Sequence, residues 1–158
     1  AGLYQNMKNP FFNQKIIEWR NRFGAKSINR QNRLFDLIRE IRKGNFVVIA
    51  PDIDLGPKDS VFVPFFGIQT NTITAISRLA KACNAEVCLM ITTLNADRSK
   101  YICRIQRALE HFPSDDPVAD TARLNRYFED EIRLRPAEYY WVHKRFKYRP
   151  PGEANLYD

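Results

Sequence analysis

Ala50-Pro51-Asp52-Ile53-Asp54-Leu55-Gly56-Pro57-Lys58 is the stretch of this sequence densest in groups that do chemistry. Two carboxylates alternate with apolar residues, a glycine and a proline follow, and a lysine closes the run. The stretch comes directly after Phe46-Val47-Val48-Ile49-Ala50, a continuous apolar run of the kind found in strands covered on both faces. Open α/β sheets bind ligands beyond the carboxyl ends of such strands. Asp52, Asp54, Gly56 and Lys58 are therefore candidate ligand-binding residues: two carboxylates two apart, a glycine that permits close backbone approach, and a cation. An Asx-type turn with solvated acids accounts for the same letters. A lone D-x-D also invites a metal or glycosyltransferase reading, but it is a weak signal, and neither a metal nor a cofactor is expected.

Two further segments carry candidate chemistry. Gly24-Ala25-Lys26-Ser27-Ile28-Asn29-Arg30 lies between two helical patterns, and Arg30 offers a planar fork suited to phosphate; a capping loop with an exposed arginine is the competing reading. Pro136 to Arg149 interleaves aromatics with Lys144, Arg145, Lys147 and Arg149, and with His143 when charged. Stacking on nucleic acid, contact with an anionic membrane surface, and a docking tail with a buried aromatic face all fit that pattern. His111-Phe112-Pro113-Ser114-Asp115-Asp116 fits H-x-x-x-x-D literally, yet Pro113 opposes the regular helical turn that would present such a pair. Asp116 already reads as the cap of a helix opened by Pro117.

These segments sit in a chain of globular composition, with 44% hydrophobic and 27% charged residues. A net charge of +7 favours an anionic partner without choosing among nucleic acid, acidic protein and lipid. No apolar run is long enough to span a bilayer. Cys83, Cys88 and Cys103 have no metal-ligand spacing and read as reduced core thiols.

The elements that must position the segments follow from periodicity. Asn13 to Phe23 reads as a helix with Ile16, Ile17, Trp19 and Phe23 as its apolar set, stopped by Gly24. A second helix runs from about Gln31 to Lys43, with Leu34, Leu37, Ile38 and Ile41 as one stripe and Gly44 as its C-cap. The strand at Phe46–Ala50 ends at Pro51. An extended segment covers Val61 to Gly67, and a helix covers Thr72 to Ala82. Glu86 to Thr93 reads as a second buried strand and Tyr101 to Leu109 as a strand nearer the edge. A long helix opens at Asp116-Pro117 and is interrupted near Pro136. The expectation is an α/β single domain over residues 1–158 with a mixed, largely parallel sheet flanked by helices, closed by a basic, Pro-containing tail over 144–158.

The wording of the blocks resembles the late acyltransferases of lipid A biosynthesis, the lauroyl and myristoyl transferases. Pro51, Asp52, Asp54, Gly56 and Pro57 reproduce a P-D-x-D-x-G-P block. Ser60 to Gly67 follows it, then Thr72, Thr74, Ser77 and Leu79-Ala80. Arg30 stands where an earlier block ends in arginine. Tyr140 to Lys147, with Arg149-Pro150, is the most specific piece. Tyr4 to Pro10 resembles a substrate-side segment in which Gln5 and Asn6 replace the usual Arg-Pro. The resemblance runs from about Tyr4 to Tyr157.

The resemblance implies a glycerol-phosphate-acyltransferase-like fold and transfer of a fatty acyl chain from acyl carrier protein to a Kdo-bearing lipid A precursor. The site is expected at the cytoplasmic face of the bacterial inner membrane. Arg30 would meet phosphate, Asp54 would shape the acceptor site, and Asp52 would orient the loop. The general base in this family is the histidine of an H-x-x-x-x-D/E motif, expected upstream of these residues. The chain therefore reads as a C-terminal portion, truncated at its N-terminus and inactive by itself, and no catalytic residue is assigned within it. A basic RNA-binding module is the alternative; it lacks a Gly-rich RNA-recognition signature, and the acidic loop would repel phosphate, so no nucleic-acid partner is expected.

Overall fold

The computed structural model describes residues 1–29, 34–53 and 56–157. These fall into two compact units, Ala1–Ala50 and Pro51–Asp158.

In the first unit, β1 (Gly2–Tyr4) pairs in parallel with β2 (Ser27–Asn29). Helix α1 (Pro10–Asn21) starts where it does because the Asn9 side chain accepts from the amides of Phe11 and Phe12 and Pro10 needs no partner for its missing N–H. Helix α2 (Leu34–Arg42) seats Leu37 in the core, and Gly44 ends it with a left-handed φ of 79°. Two expectations need correction here. Trp19 and Phe23, assigned to the buried face of the first helix, are both strongly exposed. The expected strand Phe46–Ala50 is reduced to a single parallel bridge, Val48 to Gly2, and Phe46 is 84% exposed.

The second unit holds two antiparallel hairpins and two helices. β3 (Ser60–Phe65) pairs with β4 (Ile68–Ile73), in register from Ser60↔Ile73 to Phe65↔Ile68. Helix α3 (Ala75–Cys83) follows and closes on Asn84 in the left-handed region. β5 (Cys88–Leu94) pairs with β6 (Tyr101–Ala108). Helix α4 (Pro117–Leu134) is capped by Asp116, whose carboxylate accepts from Val118 and Ala119, as the sequence suggested. A short 3-10 turn, Pro136–Glu138, follows. Ala80, Leu89, Phe112 and Leu124 form the apolar centre, with Ile76, Val87, Leu109, Tyr127 and Phe128 packed around it.

The α/β class is observed. Among the described residues the strands form three two-stranded sheets, of which only β1–β2 is parallel. Glu86 to Thr93 was expected to be buried on both faces; instead Cys88, Met90 and Thr92 are exposed, because α4 covers only the opposite face through Glu131, which accepts from Arg104 and Gln106. Cys88 and Cys103 are accordingly not core thiols, and all three cysteines are free.

Polar residues stitch α4 to its neighbours. Asp120 is buried and accepts from the Ser77 hydroxyl at 2.6 Å and from the Ser114 amide at 2.9 Å. Asn125, also buried, donates to the Pro64 carbonyl at 3.0 Å. Buried polar groups of this kind are tolerable only because their partners are present.

Candidate functional site

The acidic loop after Pro51 is held at two places within the second unit. At its middle, the Gly56 carbonyl accepts from the Asn71 side chain at 2.8 Å and lies 3.0 Å from the Ser60 hydroxyl, which is itself 2.6 Å from Asn71 Oδ1. At its end, the Asp59 carbonyl accepts from the Thr74 amide and hydroxyl, and its carboxylate faces Arg78 at 3.8 Å. At its start, the Asp52 carboxylate lies near enough to the Tyr139 phenol for its charge to act on it. Burial and then the negative charge of Asp52 push the Tyr139 phenol well above the ordinary tyrosine range, with Arg145 opposing.

Gly56 has φ of 93°, a conformation that side-chain-bearing residues rarely adopt. Space is not the constraint: an added Cβ would find only the Tyr148 hydroxyl, at 3.9 Å. The glycine serves the turn rather than a tight approach of backbones. Lys58 is exposed.

The C-terminal segment behaves differently from an exposed basic tail. Arg145 is 1% exposed. Its Nη1 donates to the Asn71 carbonyl at 2.6 Å and its Nη2 to the Thr72 hydroxyl at 2.7 Å, with the guanidinium 5.2 Å above the Phe65 ring. Arg149 donates from Nη1 to the Gln69 carbonyl and from Nη2 to Glu153. Gln69 and Asn71 stand two apart on β4, so their carbonyls leave the same edge of the hairpin. Two arginines thus close an edge that would otherwise present free acceptors. Phe65, fully buried, packs against Tyr139 and Phe146, and Phe66 packs against Trp141.

The sequence-derived candidates fare unequally. Asp52, Gly56 and Lys58 share the loop just described. Asp54 and Arg30 lie outside the described residues. His111 has a positive φ and is exposed, while Asp116 is committed to capping α4, so this pair is not arranged as a base and its acid. Asn71, Ser60 and Tyr139 were not singled out from the sequence. Nothing in local spacing joins Asp52 to Tyr139. Among the described residues no group of three or more His, Cys, Asp or Glu side chains is placed to hold a metal ion, and no helix is long and apolar enough to cross a membrane.

A family model described as bacterial lipid A biosynthesis acyltransferase matches residues 1–148. The chain is 36% identical to a lipid A biosynthesis palmitoleoyltransferase of Escherichia coli (strain K12), over 99% of its own length and 53% of that protein. It is 32% identical to a lipid A biosynthesis lauroyltransferase of the same organism, over 99% of the chain and 51% of that protein. A lipid A biosynthesis acyltransferase of Haemophilus influenzae (strain ATCC 51907 / DSM 11121 / KW20 / Rd) is 34% identical, over 97% and 48% respectively. The chain spans about half the length of the curated relatives it matches. With the family match running through both units and ending inside the arginine-bearing C-terminal segment, the chain belongs to the bacterial lipid A biosynthesis acyltransferase family.

Proposed function

We propose that this chain supplies the substrate-binding part of an enzyme that moves a fatty acyl chain from acyl carrier protein to a hydroxyl of a Kdo-bearing lipid A precursor. The observation that carries this reading is the acidic loop pinned at Gly56 by Ser60 and Asn71. A loop that merely linked two elements in solvent would not require its central carbonyl to be held by the Asn71 amide, itself braced by the Ser60 hydroxyl. With that backbone fixed, Asp52 orients the loop, Asp54 shapes the polar acceptor site, and Lys58 offers a cation to an anionic substrate. Arg30 is proposed separately as a phosphate contact, on the strength of its place in the family pattern.

The general base is not drawn from these residues. It is proposed to be the histidine of an H-x-x-x-x-D/E motif in the part of the enzyme that this chain does not include, so that the 158 residues alone do not catalyse. The sheets are proposed to belong to one larger, largely parallel, helix-flanked sheet, within a single domain spanning 1–158 whose basic tail begins at 144. The proposed location is the cytoplasmic face of the inner membrane, held peripherally by these residues. Exposed Lys144 and Lys147, beside exposed Tyr140, Trp141 and Val142, suit an anionic surface.

The test is a transfer assay with the full-length enzyme containing this segment, acylated carrier protein and the lipid A precursor, read by mass spectrometry. A product heavier by one acyl group is expected. An unmodified precursor with a folded enzyme would defeat the assignment.

A further inference from the structure

The buried arginine of the C-terminal segment lies remote in sequence from the acidic loop, yet only two hydrogen bonds separate them. Arg145 Nη1 fixes the main-chain oxygen of Asn71. The side chain of that same Asn71 fixes the Gly56 carbonyl. Ser60 braces both Asn71 and Gly56. Arg145 Nη2 fixes Thr72, whose hydroxyl donates in turn to the Thr70 carbonyl at 3.1 Å. Beyond these bonds, Phe65 packs against both the Arg145 guanidinium and the ring of Tyr139.

A fully buried guanidinium is costly to desolvate, and removing it strands the acceptors it served. An apolar side chain of similar volume would fill the same space at lower cost. Retaining a charge here is accounted for by what the planar fork does: it donates along two directions at once, which a lysine ammonium cannot reproduce in fixed geometry. The two directions are successive residues of β4, Asn71 and Thr72, and the first of these grips the loop.

Resting on the reading of the loop as the acceptor-binding element, we infer that Arg145 is a positioning residue for acyl transfer: through Asn71 it sets the backbone of the Gly56 turn. It touches no substrate. Its loss is felt in recognition of the acceptor and not of the acyl donor.

The experiment uses the full-length enzyme and compares wild type, Arg145→Lys, Ser60→Ala and Asp54→Ala. Each is measured for folded fraction by thermal melting, and for KM with lipid A precursor and with acyl carrier protein separately. Arg145→Lys is expected to raise the acceptor KM about tenfold or more, the scale of one lost charge-assisted hydrogen bond, with the donor KM unchanged. Ser60→Ala removes one brace of the same turn with little risk to folding, and is expected to move the acceptor KM in the same direction by a smaller factor. A merely structural role would lower the active fraction and leave both KM values alone. An acceptor KM raised by Asp54→Ala but by neither Arg145→Lys nor Ser60→Ala overturns the inference and leaves the loop reading standing. An acceptor KM unchanged in all three variants overturns both. Should Arg145→Lys fail to fold, Ser60→Ala decides by the same criterion.

Discussion

Arg145 Nη1 donates to the main-chain oxygen of Asn71 at 2.6 Å, joining two residues 74 positions apart. This bond turns a stretch that reads as a basic tail into part of the framework behind the acidic loop. It also divides the C-terminal cations into two sets. Arg145 and Arg149 serve β4, whereas Lys144 and Lys147 remain exposed above the rings of Tyr157 and Tyr148.

That division sets the membrane prediction. Lys144→Ala with Lys147→Ala is expected to weaken binding of the full-length enzyme to anionic vesicles by about 1 kcal/mol for each cation at low ionic strength. Added salt should weaken the wild type likewise by screening. Co-sedimentation with anionic and neutral vesicles measures both. Equal binding by variant and wild type would leave the segment as framework alone. Arg145 does not belong in that variant, because it is buried and bonded to β4 and offers no cation to a surface.

Asp120 carries the second prediction. Its buried carboxylate serves Ser77 and Ser114 at once. Asp120→Ala strands both donors and is expected to destabilise the second unit by roughly 1.5–3 kcal/mol. Ser77→Ala, which leaves the Ser114 contact in place, should cost less. Denaturant melts of the two variants give the order, and a larger loss for Ser77→Ala would contradict the arrangement.

A pH prediction comes from the first unit. The Glu40 carboxylate is held below its ordinary value of 4.5 by the Lys26 hydrogen bond first and the Asn45 hydrogen bond next, against a smaller opposing effect of burial. A depressed carboxylate stabilises the fold above its unfolded value and loses that contribution as pH falls through the folded one. The loss therefore falls in the window below about pH 4.5. Carboxyl carbon NMR should show the Glu40 midpoint rising in Lys26→Met. An unmoved midpoint would show that Lys26 does not set it.

His111→Ala in the full-length enzyme is expected to leave the rate of acyl transfer unchanged, since the residue is exposed and Asp116 is engaged in capping α4. Loss of most of the activity with the fold intact would make His111 the base after all.

What the sequence disclosed depended on how local each signal was. The Asp116-Pro117 start of α4, the Gly44 stop of α2 and both strands of the β5–β6 hairpin were legible, because caps and alternation are written within a few residues. The acidic loop was legible as a block of letters. Its fastening was not: Asn71 reaches it from β4, and Arg145 holds Asn71 from 74 positions away. The misjudged faces have one physical origin. Continuous apolar runs such as Phe46–Ala50 report what a segment is fit to bury, and Phe46, Trp19 and Met90 nevertheless remain exposed among the described residues.

The central claim is that the acidic loop binds the acceptor, and Asp54→Ala in the full-length enzyme tests it most directly. Steady-state kinetics with the lipid A precursor varied at saturating acylated carrier protein should show kcat/KM for the acceptor falling by at least about tenfold, the scale of a charge-assisted contact, while the melting temperature stays that of the wild type. A wild-type kcat/KM in that variant would contradict the account and return Pro51 to Lys58 to the reading of a solvated turn.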